Sequence, residues 1–205
     1  MPSSIQPDPA VYLARARQGD AAALGGLLEP YRNYLSLLVR VQVGTRLRVK
    51  VDVEDLVQEA FLEAHRGIDR FQGQTSAELV AWLRQIVAGV LANQVRRYFG
   101  TKRRDLRLER SLADDLDRSS IEIDGGFVAA ESSPSQRASR REQGLILANA
   151  LARLPEDYRE VIILRQLEDL SFPEVASRME RSIDSVKNLW VRALARLRRE
   201  MEAQR

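Results

Sequence analysis

The residues that could carry chemistry in this chain are cations, carboxylates and amides. The 205 residues include no cysteine and one histidine, His65. These residues therefore contain no disulfide, no thiolate zinc site, no cysteine nucleophile and no metal site built on paired histidines, and carboxylate-only zinc or iron sites are uncommon. No motif brings together a nucleophile, a base and a metal ligand, so we predict a protein that is not an enzyme and has no catalytic residues, metal or cofactor.

The cations are concentrated in two places, although the net charge is only +3, from 32 Lys and Arg against 29 Asp and Glu. Between them, residues 105–131 are rich in acids. Two basic clusters separated by an acidic spacer indicate a polyanionic partner contacted at two places; solvated helix faces are the alternative explanation. The clusters are Arg96, Arg97, Lys102, Arg103 and Arg104, and then Lys187, Arg192, Arg196, Arg198 and Arg199.

The elements that carry these clusters are predicted to be helices, because apolar residues recur every three or four positions. One helix follows Gly19-Asp20 and is weakened at Pro30, another begins at Asp52, and a third begins at a Thr75/Glu78 capping box. No apolar run approaches the roughly 20 residues of a membrane span, and the first residues, MPSS, do not resemble a secretory signal. We therefore expect a cytoplasmic protein.

Composition divides the chain into three parts. Residues 8–104 and 140–205 show helical spacing, whereas residues 105–139 are rich in Ser, Asp and Gly. The last of these predicts a flexible acidic linker, with a short helix near 106–116. The fold prediction is therefore all-α, with two small helical domains joined by a flexible linker.

The C-terminal domain has the pattern of a helix-turn-helix. A capping box of Ser171 and Glu174 starts a short helix, a tight turn follows at Glu180-Arg181, and Ser182 caps a longer basic helix. In such a motif the second helix enters the major groove of DNA. A purely structural bundle is the alternative. The predicted inner face of the last helix is Ile183, Val186, Trp190, Ala193, Leu194 and Leu197; the predicted outer face is Ser185, Lys187, Asn188, Arg192, Arg196 and Arg199.

Two separate segments of the sequence resemble one known family. The run LPEDYREVIILR at 154–165, followed by LSFPEVA at 170–176 and residues 182–193, resembles the fourth conserved region of sigma-70-type factors. Independently, DVEDLVQEAFL at 52–62, FQG at 71–73 and AWLRQI at 81–86 resemble the second region. The chain is thus similar to bacterial RNA polymerase sigma factors, and its spacer implies the compact extracytoplasmic-function (ECF) subfamily.

The resemblance implies a factor that directs core polymerase to specific promoters and assists promoter opening. The implied partners are core RNA polymerase, through the clamp of its largest subunit and its flap, promoter DNA and, as for many relatives, an anti-sigma factor; no insertion into a membrane is implied. Two alternatives stay open: a free-standing helix-turn-helix regulator with an N-terminal effector or dimerisation domain, and a helical enzyme with carboxylate chemistry. A simple regulator would not need the segment at 52–62.

Carried over by the resemblance, three groups of residues are expected to bind. The polymerase-docking group is Asp52, Asp55, Gln58, Glu59 and Leu62. The group for the −10 element is Phe71, Gly73, Gln74, Asn93, Arg96, Arg97, Lys102 and Arg103. The group for the −35 element is Arg181, Ser182, Ser185, Lys187, Asn188, Arg192 and Arg196. Departures from the family pattern at Gly89, Asn93, Glu180 and Leu189 leave the promoter sequence open.

Overall fold

A computed structural model describes residues 9–44, 51–99, 106–124 and 134–204 of the chain. These residues are mostly helical and contain no strand, so the predicted all-α class is confirmed. None of the helices in these ranges has the length and apolar character of a membrane span. The helices are α1 Pro9–Arg17, α2 Ala21–Leu28, α3 Arg32–Gln42, α4 Val53–Gly67, α5 Ser76–Phe99, α6 Leu106–Asp124, α7 Pro134–Ala152, α8 Glu156–Ile162, α9 Phe172–Arg178 and α10 Ile183–Glu202.

The chain divides into two compact units, as the prediction of two helical domains requires. Unit 1 comprises Met1–Val39 and Lys50–Asp117, and unit 2 comprises Arg40–Val49 and Arg118–Arg205. Each unit buries its own apolar side chains. Examples are Leu35, Leu83 and Leu91 in unit 1, and Leu151, Ile162 and Val186 in unit 2.

The start signals of unit 1 lie where the sequence places them. Asp20 caps α2 by accepting a hydrogen bond from the Ala23 amide (2.9 Å), and Asp52 caps α4 by accepting one from the Glu54 amide (2.9 Å). At the start of α5, the Thr75 hydroxyl accepts from the Glu78 amide (3.2 Å) while the Glu78 carboxylate accepts from the Thr75 amide (3.0 Å). The single helix expected after Asp20 is divided, because a 3₁₀ turn containing Pro30 separates α2 from α3.

The segment at 105–139 is more helical than the sequence suggested. Where the structure describes it, it forms the 19-residue helix α6 and the beginning of α7, which starts at Pro134 rather than near residue 140. Leu112, Leu116 and Ile123 are buried, and their separations of four and seven residues lie along one helix face. The serines and aspartates between these residues made the segment look like a linker in the sequence, although the helical spacing of its apolar residues was present. Residues 125–133, with both Gly-Gly and Ser-Ser pairs, lie outside the described ranges, and the domain limits at 104 and 140 stay predictions.

In unit 2, α9 and α10 form the predicted helix-turn-helix. The Ser171–Glu174 capping box is present, and Ser182 caps α10 by accepting from the Ser185 amide (3.3 Å). Glu180 turns the chain in the left-handed region with φ of 53°, a conformation that glycine adopts more easily. The turn between α9 and α10 therefore forms with a residue other than glycine in this conformation.

The buried face of α10 is narrower than predicted. Val186, Ala193 and Leu197 are buried, whereas Ile183 and Leu194 are 42% and 36% exposed, so their assignment to the inner face was wrong. Trp190 is partly exposed and meets the Phe172 ring edge to face at 6.5 Å. The 3.6-residue period alone could not show how wide a stripe the short helix α9 can cover.

Candidate nucleic-acid interface

All seven residues predicted to meet the −35 element are exposed on unit 2. Ser185 and Asn188 lie near the start of α10, the part of a recognition helix that faces base edges. The Ser182 hydroxyl already accepts the capping hydrogen bond from Ser185, so its structural role is shown by the geometry. The outer face of α10 therefore offers polar and cationic groups to a partner along much of its length.

Several of these cations are held by carboxylates. Arg181 pairs with Asp157 of α8 at 2.6 Å, Arg196 pairs with Glu200 at 2.8 Å, and Lys187 lies 3.9 Å from Asp184. Exposed ion pairs contribute only about 0–1 kcal/mol, so a phosphate can displace the carboxylate at small cost. Such pairs orient the side chains without removing them from binding.

A cationic concavity lies beside this face, within unit 2. Its volume is about 700 Å³, and Arg153, Arg192, Arg196 and Arg199 line it together with the Tyr158 ring. Arg153, Arg192 and Arg199 have no ion-pair partner in the described part of the chain. We name this surface the arginine concavity. Its remaining lining residues are Leu154, Pro155 and Ala195.

Sequence analysis missed the contribution of Arg153. Arg192, Arg196 and Arg199 share a helix face because they are four and three residues apart, but Arg153 follows α7 and is 39 positions before Arg192. No local spacing indicates that these side chains meet. The turn at Leu154-Pro155, between α7 and α8, brings them together.

In unit 1, the loop between Arg70 and Ser76 has its aromatic ring turned inward. Phe71 is 8% exposed, and its ring stacks on Trp82 with centroids 4.8 Å apart. The predicted contact of Phe71 with DNA is therefore corrected: the ring supports the loop from inside. Gln74 is exposed and Gly73 is half-buried, and a Cβ on Gly73 would lie 2.8 Å from the Glu78 Cβ, so a side chain there would not fit.

The same loop is tied by two groups outside it. The Glu78 carboxylate accepts hydrogen bonds from the amides of Gln74 (2.9 Å) and Thr75 (3.0 Å), which lower its pKa together with the bond from the Thr75 hydroxyl. From α1, Arg17 donates to the carbonyl oxygens of Phe71 (2.6 Å) and Gly73 (2.7 Å). The sequence gives no local signal for the role of Arg17, because Arg17 and Phe71 are 54 residues apart.

The basic end of α5 is partly engaged. Arg96 bonds with the Asn93 side chain and pairs with Glu109 of α6 at 3.2 Å, so its guanidinium is less available for phosphates than predicted. Arg97 is exposed and has no ion-pair partner within the described residues. Lys102 and Arg103 lie outside the described ranges. A concavity of about 330 Å³ joins Arg96, Arg97 and Asn93 to Glu59 of α4.

The predicted docking group occupies one side of α4. Asp55 and Gln58 are exposed, Glu59 is half-buried, and Leu62 is 53% exposed although it is apolar. Asp52 is also exposed, but its carboxylate serves as the cap of α4. An exposed leucine among acidic side chains is the composition of a surface that combines apolar contact with charge complementarity.

Two family models match separate parts of the chain. The family model described as sigma-70 region 2 matches residues 30–99, and the model for sigma-70 region 4 matches residues 144–197. The ECF RNA polymerase sigma-E factor of Escherichia coli strain K12 is 31% identical over 183 residues, which cover 89% of this chain and 88% of that protein. The chain belongs to the ECF sigma factors. The corresponding sigma-E factor of Haemophilus influenzae is 29% identical over 179 residues, covering 87% of each chain.

Two solved structures are also similar to this sigma factor. The structure of CnrH in complex with the cytosolic domain of CnrY is 23% identical and covers 97% of this chain and 100% of that one, with a TM-score of 0.35. The RsbN–BldN complex is 24% identical and covers 91% and 97%, with a TM-score of 0.31.

As an RNA polymerase sigma factor, the protein directs the polymerase to promoters, and sigma factors are generally non-enzymatic regulators of transcription. The predicted docking group and the loop between Arg70 and Ser76 lie inside the region 2 match, and the arginine concavity lies mostly inside the region 4 match, with Arg199 just beyond its end. A free-standing helix-turn-helix regulator would not contain region 2. Arg17 precedes the matched range, so the family model says nothing about it.

Proposed function

We propose that this sigma factor contacts its promoter with two surfaces, one on each unit. Unit 1 docks on the clamp of the polymerase's largest subunit and receives the −10 element, and unit 2 contacts the flap and recognises the −35 element. The observation that carries the proposal is that two units of one sigma factor each present exposed cations, Arg97 on unit 1 and the arginine concavity on unit 2.

For docking, we assign Asp55, Gln58, Glu59 and Leu62 as contact residues and Asp52 as the residue that holds the start of α4. The leucine supplies apolar area, and the carboxylates favour approach to a basic coiled coil and fix its register. Because Asp55, Gln58 and Leu62 are exposed, they can bind without any rearrangement of the helix.

At the −10 element, the exposed Gln74 side chain and the backbone around Gly73 would receive a base that has left the duplex stack. Asn93 and Arg97, with Lys102 and Arg103, would contact the phosphates beside it, while Arg96 first has to exchange its partners. Opening then needs no hydrolysis, because the free energy comes from binding the opened strand more tightly than the duplex.

At the −35 element, the start of α10 would face the base edges with Ser185, Lys187, Asn188 and Arg192, and Arg181 could exchange Asp157 for a phosphate. The arginine concavity would seat backbone phosphate, because unpaired guanidinium groups bind phosphate oxygens through fixed parallel donors. Base contacts provide the specificity, and the phosphate contacts set the register of α10 on the duplex.

Two further statements belong to the proposal. We place the protein in the cytoplasm, where the bacterial polymerase works. An anti-sigma partner would act by covering the docking group or the recognition helix. The exposed Leu62 and Val191, the latter 65% exposed, are apolar side chains that such a partner could bury.

Reconstitution with core polymerase from the host tests the proposal. The holoenzyme should initiate at a common promoter class when it is offered a random-sequence DNA library. Tight promoter binding by the protein alone, with no capture of core polymerase, would contradict it.

Two double variants then separate the surfaces. Asp55→Lys with Glu59→Lys should weaken core binding, because both changes oppose the charge needed for docking. Lys187→Ala with Arg192→Ala should leave core binding intact and weaken use of the −35 element. If the second pair leaves promoter use unchanged, the recognition face has been misassigned.

A further inference from the structure

We propose that Arg17 of α1 is a positioning residue for promoter opening: it holds the loop at 71–75 in the shape that receives an extruded base. The inference rests on the proposed role of this loop at the −10 element. It adds a residue outside the region 2 match, from a helix to which the proposed function assigns no role.

One nitrogen of the Arg17 guanidinium contacts the loop backbone twice. Its Nη2 atom donates to the Phe71 carbonyl at 2.6 Å and to the Gly73 carbonyl at 2.7 Å. The centre of the guanidinium lies 5.7 Å from the centroid of the Phe71 ring. Hydrogen bonds from an ionised donor are stronger than neutral ones, and a cation over an aromatic ring adds a further attraction.

These contacts complete the fixation of the loop. The Phe71 ring is stacked on Trp82, and the amides of Gln74 and Thr75 are bound by Glu78. Arg17 binds the carbonyls of Phe71 and Gly73, which lie earlier in the loop than those amides. The loop backbone is therefore bound at two carbonyl groups by Arg17 of α1 and at two amide groups by Glu78 of α5. The Gln74 side chain stays exposed.

A loop fixed in this way has a consequence for promoter opening. A flexible loop must be ordered when it captures a base, and the entropy lost then reduces the binding free energy available for opening. A loop already ordered by the fold avoids this loss. It also keeps one shape against all four bases, so that a wrong base fits worse. Arg17 should therefore affect opening and base discrimination, and it should not affect core binding.

The experiment compares Arg17→Ala and Arg17→Lys with a matched control, Arg15→Ala, in full-length protein assembled with host core polymerase. Arg15 lies on the same helix, but it pairs with Asp20 at 2.7 Å, and no hydrogen bond or ion pair joins it to the loop within the described residues. The probes are a promoter selected by the wild-type holoenzyme from the random library and its single-base −10 variants. A Gln74→Ala arm tests the role of the loop itself.

We expect Arg17→Ala to slow open-complex formation by about tenfold, since two charge-assisted hydrogen bonds are lost. Discrimination among the −10 variants should fall by about threefold or more as the loop becomes adaptable. Core binding should match wild type, amide hydrogen exchange at Gln74 and Thr75 should accelerate, and Arg15→Ala should change none of these. Arg17→Lys keeps the charge but loses the planar fork, so it should restore opening only in part.

Several results would overturn the inference. If Gln74→Ala lowers discrimination and Arg17→Ala does not, the loop reads the −10 element without needing Arg17. If Gln74→Ala has no effect, the proposed role of the loop fails, and Arg17 as its positioning residue fails with it. A lower melting temperature with unchanged discrimination would mean that Arg17 only stabilises the fold. If Arg17→Ala does not fold, the same measurements on Arg17→Lys decide the question.

Discussion

Replacing Arg153 with alanine should weaken promoter binding by removing one phosphate contact while leaving the choice of bases unchanged. Arg153 lines the arginine concavity and has no ion-pair partner in the described part of the chain. Because it is exposed and unpaired, its truncation should change the stability of unit 2 by no more than about 0.5 kcal/mol. Any change in promoter affinity can then be attributed to the lost contact.

The magnitude follows from counterion release. Each neutralised phosphate contributes about 0.9 to the slope of log affinity against log salt concentration. Arg153→Ala should therefore reduce the slope by about 0.9, which means that the affinity difference from wild type shrinks by about 3.5-fold between 50 and 200 mM salt. Adding Arg199→Ala should double the slope change to about 1.8 and give about 12-fold over the same range.

The assay is equilibrium binding of the holoenzyme to a promoter duplex over this salt range, with a parallel series on −35 base variants. Arg198→Ala is the matched control, because Arg198 lies on α10 but pairs with Glu202 at 2.9 Å and does not line the concavity. It should reduce the slope by much less than Arg153→Ala. Equal slope changes for both variants would mean that only net charge matters, and the arginine concavity would then not be a phosphate seat.

Three further outcomes follow from the geometry of the helices. Leu197→Ala should lower the free energy of unfolding of unit 2 by about 2–5 kcal/mol in chemical denaturation, whereas Leu194→Ala, at an exposed position, should lower it by less than about 1 kcal/mol. Equal losses for the two variants would mean that Leu194 belongs to the buried face, as the sequence predicted. Leu62→Ala should weaken core binding without lowering the melting temperature, and a lower melting temperature with normal binding would contradict the docking assignment. The Ser171 hydroxyl and amide hold the pKa of Glu174 below its ordinary value of 4.5, so the stabilisation by these hydrogen bonds is present above that pH and is lost as the pH falls through the lowered pKa. Glu174→Gln should therefore lose less stability on acidification than the wild type. If the stability of the variant falls with acid pH as steeply as that of the wild type, this reasoning is refuted.

Local signals in the sequence were sufficient for the capped helix starts and for the presence of two helical domains, although not for the start of α7 at Pro134. Asp20, Asp52 and Ser182 each cap the helix that their position predicted, because a cap depends only on residues two or three positions away. The capping box at Ser171 succeeded for the same reason. Motif resemblance then supplied the family, which composition and periodicity alone could not.

What the sequence could not supply are contacts between distant positions. Arg17 contacts Phe71, which is 54 residues further along the chain, and Arg153 lines a concavity with Arg192 of α10, which is 39 residues further along. The burial of Phe71 belongs to this group, since a ring next to a polar loop looks exposed until Trp82 is placed beside it. Helix α6 shows the converse limit, because its apolar spacing was present but was diluted by serine and aspartate.

In the proposed function promoter opening needs no hydrolysis, so each step at the promoter would be driven by the free energy of binding. The exposed ion pair between Arg181 and Asp157 presents a cation in a fixed place and is cheap to break, because exposed pairs contribute little. Arg17 and Glu78 hold the loop at 71–75 in one shape, so in the proposed mechanism promoter opening would not include the entropy cost of ordering that loop. In the proposed function, two such surfaces carried on one polymerase would raise each other's effective concentration, so each could bind weakly alone while the two together select a promoter. Weak separate binding would also let the polymerase leave the promoter once synthesis begins, which a single tight site would prevent.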